Sequence, residues 1–147
     1  MIVDGTFSNQ GKVEENIAQC QKKWIAFSII LVMQDPMISY LYTKKREQEK
    51  LRNVPKWAFI EKFYKSIQSV RLIYEKYPQA LIFITKKLKS NPKFSHTQVK
   101  NGEQFDRLTY YDYNEIDLAN LIEHIDGECD KNPSFITKIL WALHINN

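Results

Sequence analysis

Four glycines in 147 residues are too few for a β-sandwich or barrel, whose many tight turns lean on that residue. They also leave no Gly-rich phosphate loop and no Gly-x-Ser-x-Gly nucleophile elbow. Cys20 and Cys129 are the only cysteines. Their separation matches no metal-ligand spacing, so both are expected as reduced side chains. Three histidines, His96, His124 and His144, supply no metal motif, and no arginine stands in the helical Arg-to-His spacing of a ribonuclease. Arginine is scarce as well: 4 against 17 lysines. Bidentate readers of guanine or phosphate rely on arginine. Lysines instead suit sequence-blind attraction to a phosphate backbone.

Long apolar runs are also missing. The longest uncharged segment, "WIAFSIILVMQ" at 24–34, is half of the roughly 20 residues that a membrane span needs. Asp35-Pro36 closes it, so a buried core helix is expected rather than a span. The N-terminal sequence has no basic lead-in and no apolar stretch of signal-peptide type. An intracellular location is the expectation.

What is present is apolar enough to fold. Hydrophobic residues make up 44% and aromatics 13%, which argues against disorder and for one domain over 1–147, with 1–10 flexible and 91–105 a loop. The net charge of +4 hides a polarity. Residues 1–100 hold 18 basic and 8 acidic side chains, +10 in balance; residues 101–147 hold 3 and 9, −6 in balance. One part can attract an anionic partner and the other a cationic one.

Periodicity favours helices. Val13, Ile17, Cys20, Trp24, Phe27 and Leu31 recur at spacings of three and four, one face of a helix. Asp35-Pro36 is a strong start signal for a helix near 36–52. Pro55 opens another, with Phe59, Phe63, Ile67, Val70 and Tyr74 as its stripe and Trp57 and Ile60 widening it. "ALIFIT" within 79–85 has the β-branched character of a strand, but Pro78 and the Leu81, Ile84, Leu88 spacing favour a helix. "SHTQVK" and "FDRLTYYDY" could pair across the Asn101-Gly102 turn. A helix near 114–126, capped by Asn114 and ended by Gly127, and a last one from Pro133 complete the reading. "FITKKL" at 83–88 and "FITKIL" at 135–140 share five of six residues, which mildly supports one conformation for both. The expected fold is mostly α: a single-domain bundle of five or six helices, with a possible small hairpin near 94–113.

Chemistry is hard to place. In the acidic block after Tyr111, no Asp begins an EF-hand pattern, and a solvated helix face accounts for Asp117, Glu123, Asp126 and Glu128. The last helix holds one basic residue, Lys138, too few for a recognition helix. No catalytic residue, metal or cofactor is assigned. The expected function is a non-catalytic subunit of a larger assembly. It would touch nucleic-acid backbone through Lys44, Lys45, Arg46, Lys50, Arg52, Lys86, Lys87, Lys89, Lys93 and Lys100. The alternative is an adaptor, inhibitor or assembly module whose protein interface is Tyr110, Tyr111, Asp112, Tyr113 and Glu115. Nucleic acid or a protein is therefore the expected partner, and a membrane is not.

Overall fold

The computed structural model describes residues 5, 7–50, 53–87, 94–132 and 134–142. Its elements run α1 (Gln10–Lys22), β1 (Ser28–Met33), α2 (Pro36–Lys50), α3 (Lys56–Lys76), β2 (Leu81–Lys87), β3 (Phe94–Gln98), α4 (Gly102–Thr109), α5 (Glu115–Lys131) and α6 (Phe135–Ala142). The chain is mostly helical, as expected, but it also carries a three-stranded sheet. It divides into two compact units: Met1–Gln34 with Lys62–Tyr110, and Asp35–Glu61 with Tyr111–Asn147. Among the described residues, no helix is long and apolar enough to cross a membrane.

The first unit holds the sheet, in the order β1-β2-β3. β1 and β2 are parallel, Ser28 opposite Leu81 and Met33 opposite Lys86. Parallel neighbours require a long connection, and α2 and α3 lie between them in sequence. β3 pairs antiparallel to β2, Phe83 opposite Gln98, and the Val99 amide extends the ladder by donating to Ile82 O at 2.9 Å. One sheet face carries Ile29, Met33, Ile82 and Ile84, all buried. Val13 and Ile17 of α1, Val70 and Ile73 of α3, and Phe105 of α4 complete the unit's core. On the other face Ile30 and Val32 are 63% and 67% exposed.

Three expectations are corrected here. The helix drawn through 13–31 is instead α1 followed by β1. Ile29, Ile30 and Val32 suit the pleat, and strands in parallel pairs are apolar on both faces, which mimics a buried helix in sequence. The segment 79–85 is a strand, because its β-branched side chains gain a central place in the sheet that outweighs the helical spacing. No hairpin forms over 94–113: Phe94–Gln98 pairs with β2, and Asn101 caps a helix, its Oδ1 accepting from the Gln104 amide at 2.8 Å. Gly102 suits that start, since a Cβ there would stand 2.7 Å from Nη2 of Arg71. Arg71 is itself tied to Glu75 at 2.8 Å and Asp106 at 3.0 Å.

α1 ends in a tight reversal. The Ile25 amide reaches back to Cys20 O at 2.9 Å and the Trp24 amide to Gln21 O at 3.0 Å, a Schellman pattern. Its left-handed position, usually glycine, is filled by Trp24 at φ 56°. The indole is 96% exposed rather than part of a buried stripe.

The second unit is helical. Tyr40 and Leu41 of α2, Ala58 and Ile60 of α3, Leu118, Ile122, Ile125 and Cys129 of α5, and Ile136 and Leu140 of α6 are its buried hydrophobic side chains among the described residues. Trp57, expected on the buried stripe, is 68% exposed. Asn114 opens α5 with a reciprocal capping box to Asp117. Gly127 does not end α5, which runs on to Lys131. A Cβ at Gly127 would meet nothing within 4 Å. Gly127→Ala is therefore expected to raise the unfolding free energy by about 0.5–1 kcal/mol, read as a higher urea midpoint with an unchanged slope.

Candidate functional site

Asp35 lies two residues after β1, immediately before the first residue of α2. The Asp35 carboxylate caps the helix: Oδ1 accepts from the Met37 amide at 3.0 Å and more loosely from that of Ile38 at 3.4 Å. Oδ2 accepts from the Tyr113 hydroxyl at 2.6 Å. Tyr113 stacks on Tyr111, ring centroids 6.4 Å apart and planes 4° from parallel. Burial pushes both phenols well above their usual pKa, and the Asp35 charge pushes in the same direction. At neutral pH both are protonated, so Tyr113 is a fixed donor.

One turn along, the fully buried Tyr40 ring packs edge-on against Phe59 at 5.2 Å. Its hydroxyl donates to both carboxylate oxygens of Asp126, at 2.8 and 2.9 Å. Burial first, and then the Asp126 hydrogen bond, raise the Tyr40 phenol far above its ordinary value. Lys44 lies 3.0 Å from Glu47 and 3.6 Å from Asp126. Burial disfavours its ammonium, but Glu47 and Asp126 together outweigh that, so its pKa is raised. Burial also lifts the Cys129 thiol, leaving it protonated and a poor nucleophile.

These contacts fix the first half of α2 and leave the second half exposed. Arg46 and Lys50 are exposed and Lys45 is half-buried. Residues four apart share a helix face, so Arg46 and Lys50 point the same way, with Lys45 about 100° around the axis from Arg46. Neither Arg46 nor Lys50 forms an ion pair among the described residues. A rigid helix that presents a guanidinium and an ammonium is equipped to stabilise negative charge on phosphate oxygens.

The other sequence-derived residues are placed differently. Lys86 is half-buried in the first unit, and its Nζ donates to the carbonyls of Leu108 at 3.2 Å and Tyr110 at 3.3 Å. It thus closes the C-terminal end of α4, where carbonyls lack helical partners. Lys87 is the last residue of β2. Lys100 is exposed, its amide bonded to Gln104 Oε1 at 2.7 Å. Arg52, Lys89 and Lys93 lie outside the described residues. Tyr110 is 66% exposed; Asp112 and Glu115 are exposed too. The sequence had suggested Asp35 only as a cap. Its bond to Tyr113, and the pairing of Tyr40 with a carboxylate 86 residues away, had no signal in local pattern. Among the described residues no group of three or more His, Cys, Asp or Glu side chains could hold a metal ion.

Comparison with known proteins adds one positive result. The family model described as Zeta toxin matches residues 1–101, a span that contains α1, β1, α2, α3, β2 and β3. No curated protein and no solved structure matches the chain. The family match overturns the expectation of a non-catalytic subunit on nucleic-acid backbone, and with it the adaptor or assembly-module alternative, because it points to an enzymatic toxin.

Proposed function

We propose, from the premise that this chain belongs to the zeta toxin family, that it works in phosphoryl transfer and that α2 supplies positive charge to the transferring phosphates. The family's fold is P-loop kinase-like. In such chemistry the protein contributes mainly positioning and electrostatic stabilisation of the phosphoryl oxygens, and arginine is the side chain best shaped for it. The single observation that carries the reading is Arg46 with Lys50, exposed on one face of a helix whose first half is locked by Asp35, Tyr113 and Tyr40. Arg46 takes the bidentate role and Lys50 that of a point charge.

The phosphate loop itself does not fit this chain. Gly5, Gly11, Gly102 and Gly127 are its only glycines, and none stands in a Gly-x-x-x-x-Gly-Lys-[Ser/Thr] sequence. The backbone cradle for a nucleotide's phosphates is therefore not encoded in these residues, and no step is assigned to it.

The α2 assignment is tested with tripolyphosphate, titrated while backbone amide signals are followed by NMR. The expected result is that the amides of Lys45–Lys50 move and that the affinity falls with salt. Arg46→Ala is expected to weaken binding about tenfold, a loss of ~1.4 kcal/mol, in the range of a charge-assisted hydrogen bond. Its melting temperature should stay close to the parent's, since the side chain is exposed. Movement elsewhere with α2 silent removes this helix from the site.

A further inference from the structure

Glu47 has a choice of two ammonium groups on α2. Lys44 and Lys50 stand three residues before and after it, so they flank it at about 60° on either side of the helix. Each is within reach of its carboxylate. Helices favour the order glutamate before lysine, which is the order of Glu47 and Lys50. Yet Glu47 turns the other way, to Lys44 at 3.0 Å. Lys50 is exposed and forms no ion pair among the described residues.

The reason lies on α5. Asp126 stands 3.6 Å from the Lys44 ammonium and is itself held by the Tyr40 hydroxyl at 2.8 and 2.9 Å. Tyr40 belongs to the core of the second unit, so the anchor is rigid. Lys44 is thereby ordered before Glu47 reaches it, whereas pairing with Lys50 means freezing a second long, exposed side chain. Lys44 and Glu47 are also only 23% exposed each, which leaves their attraction less screened than that of an open surface pair.

We propose that Lys44 is a positioning residue of α2: it holds Glu47 away from Lys50 and so keeps Lys50, beside Arg46, open to a polyphosphate anion. The inference rests on the phosphate reading of α2 above and adds the device that keeps that face positive. Released from Lys44, Glu47 swings to Lys50 and cancels one of the two charges that the face presents. Lys44 does not itself touch the anion, since two carboxylates already surround its ammonium. Glu49 supplies the control. It is exposed on the same helix but lies about 200° around the axis from Glu47, away from Lys44.

The test titrates tripolyphosphate at low salt into the parent chain, Lys44→Gln, Glu47→Gln and the double variant. Lys44→Gln is expected to weaken binding about twofold, the worth of one helical ion pair. Glu47→Gln is expected to change little in the parent and to restore the lost affinity when Lys44 is absent. Glu49→Gln should act equally with and without Lys44. A merely structural or net-charge role for Lys44 gives the same gain from Glu47→Gln in both backgrounds, and that result, or a Lys44→Gln chain that binds like the parent, would overturn the proposal. The Lys50 side-chain NMR signal, followed without polyphosphate, reads the pairing directly. It should answer Glu47→Gln only when Lys44 is gone, and an answer in the parent refutes the hold on Glu47 whatever the anion does. If the α2 amides stay silent to tripolyphosphate in every chain, the phosphate reading falls, while the Lys50 signal still decides whether Lys44 holds Glu47.

Discussion

Tyr40→Ala is expected to remove about 4 kcal/mol of unfolding free energy, a large share of the roughly 5–15 kcal/mol that a domain possesses. The ring is 1% exposed, so its loss opens a cavity beside Phe59. It also takes a hydroxyl donor away from both oxygens of Asp126. Tyr40→Phe separates the two effects. It keeps the packing and loses only the hydrogen bond to a charged acceptor, about 1.5–3 kcal/mol. The pH profile identifies the hydroxyl. The folded phenol titrates above the ordinary value of 10.0, whereas the unfolded one releases its proton near that value. The unfolded state therefore binds fewer protons as the pH rises past about 10, and stability falls from there upward. Lys44, Tyr111 and Tyr113 are raised too and act with the same sign. Tyr40→Phe should flatten the alkaline fall, with urea melts at neutral and alkaline pH as the measurement. An unchanged profile would mean that the Tyr40–Asp126 bond is not the source.

Ile82→Ala is expected to cost about 3–4 kcal/mol, and the loss should show in the first unit. Ile82 is 0% exposed on the middle strand, opposite Ile29 in β1. Removing its outer carbons forfeits their burial and leaves a void that the strands on either side cannot close. Alanine is also a poor strand residue. Ile30→Ala, one pleat away but 63% exposed, should change stability by no more than about 0.5 kcal/mol. Amide hydrogen exchange reads the contrast directly: protection in β2 falls for Ile82→Ala and is kept for Ile30→Ala. Equal effects would contradict the one-sided burial of the sheet.

The parts of the fold that could be read from sequence are those with local punctuation. Asp35-Pro36, Pro55 and Asn114 each mark a helix start that the structure contains. The strands had no such marks. The spacing from Val13 to Leu31 runs unbroken through the reversal at Lys23 and Trp24, because a left-handed tryptophan gives none of the warning that a glycine would. The clearest case is the repeated Phe-Ile-Thr-Lys. At 83–86 it lies in β2, and at 135–138 it begins α6. The same four residues take either form, and their neighbours in space decide. The site divides in the same way. Arg46 and Lys50 were visible as an exposed charged run on a helix. Tyr40 with Asp126, and Asp35 with Tyr113, join residues 86 and 78 positions apart, which no local pattern encodes. Two of the lysines counted as available for an anion are committed within the protein, Lys44 to carboxylates and Lys86 to the end of α4.

The cap of α4 bears on how the protein ages. In an open turn, an asparagine followed by glycine loses its side-chain amide when the next backbone nitrogen attacks the side-chain carbonyl carbon. Asn101-Gly102 is such a pair by sequence. In the folded chain Asn101 Oδ1 is held by the Gln104 amide at 2.8 Å, and Gly102 is already the first residue of α4. The attacking nitrogen and its target are thus held in a cap rather than left to close a ring. Covalent damage at this position becomes a clock for unfolding: an isoaspartate at 101 records the time the α4 cap has spent open.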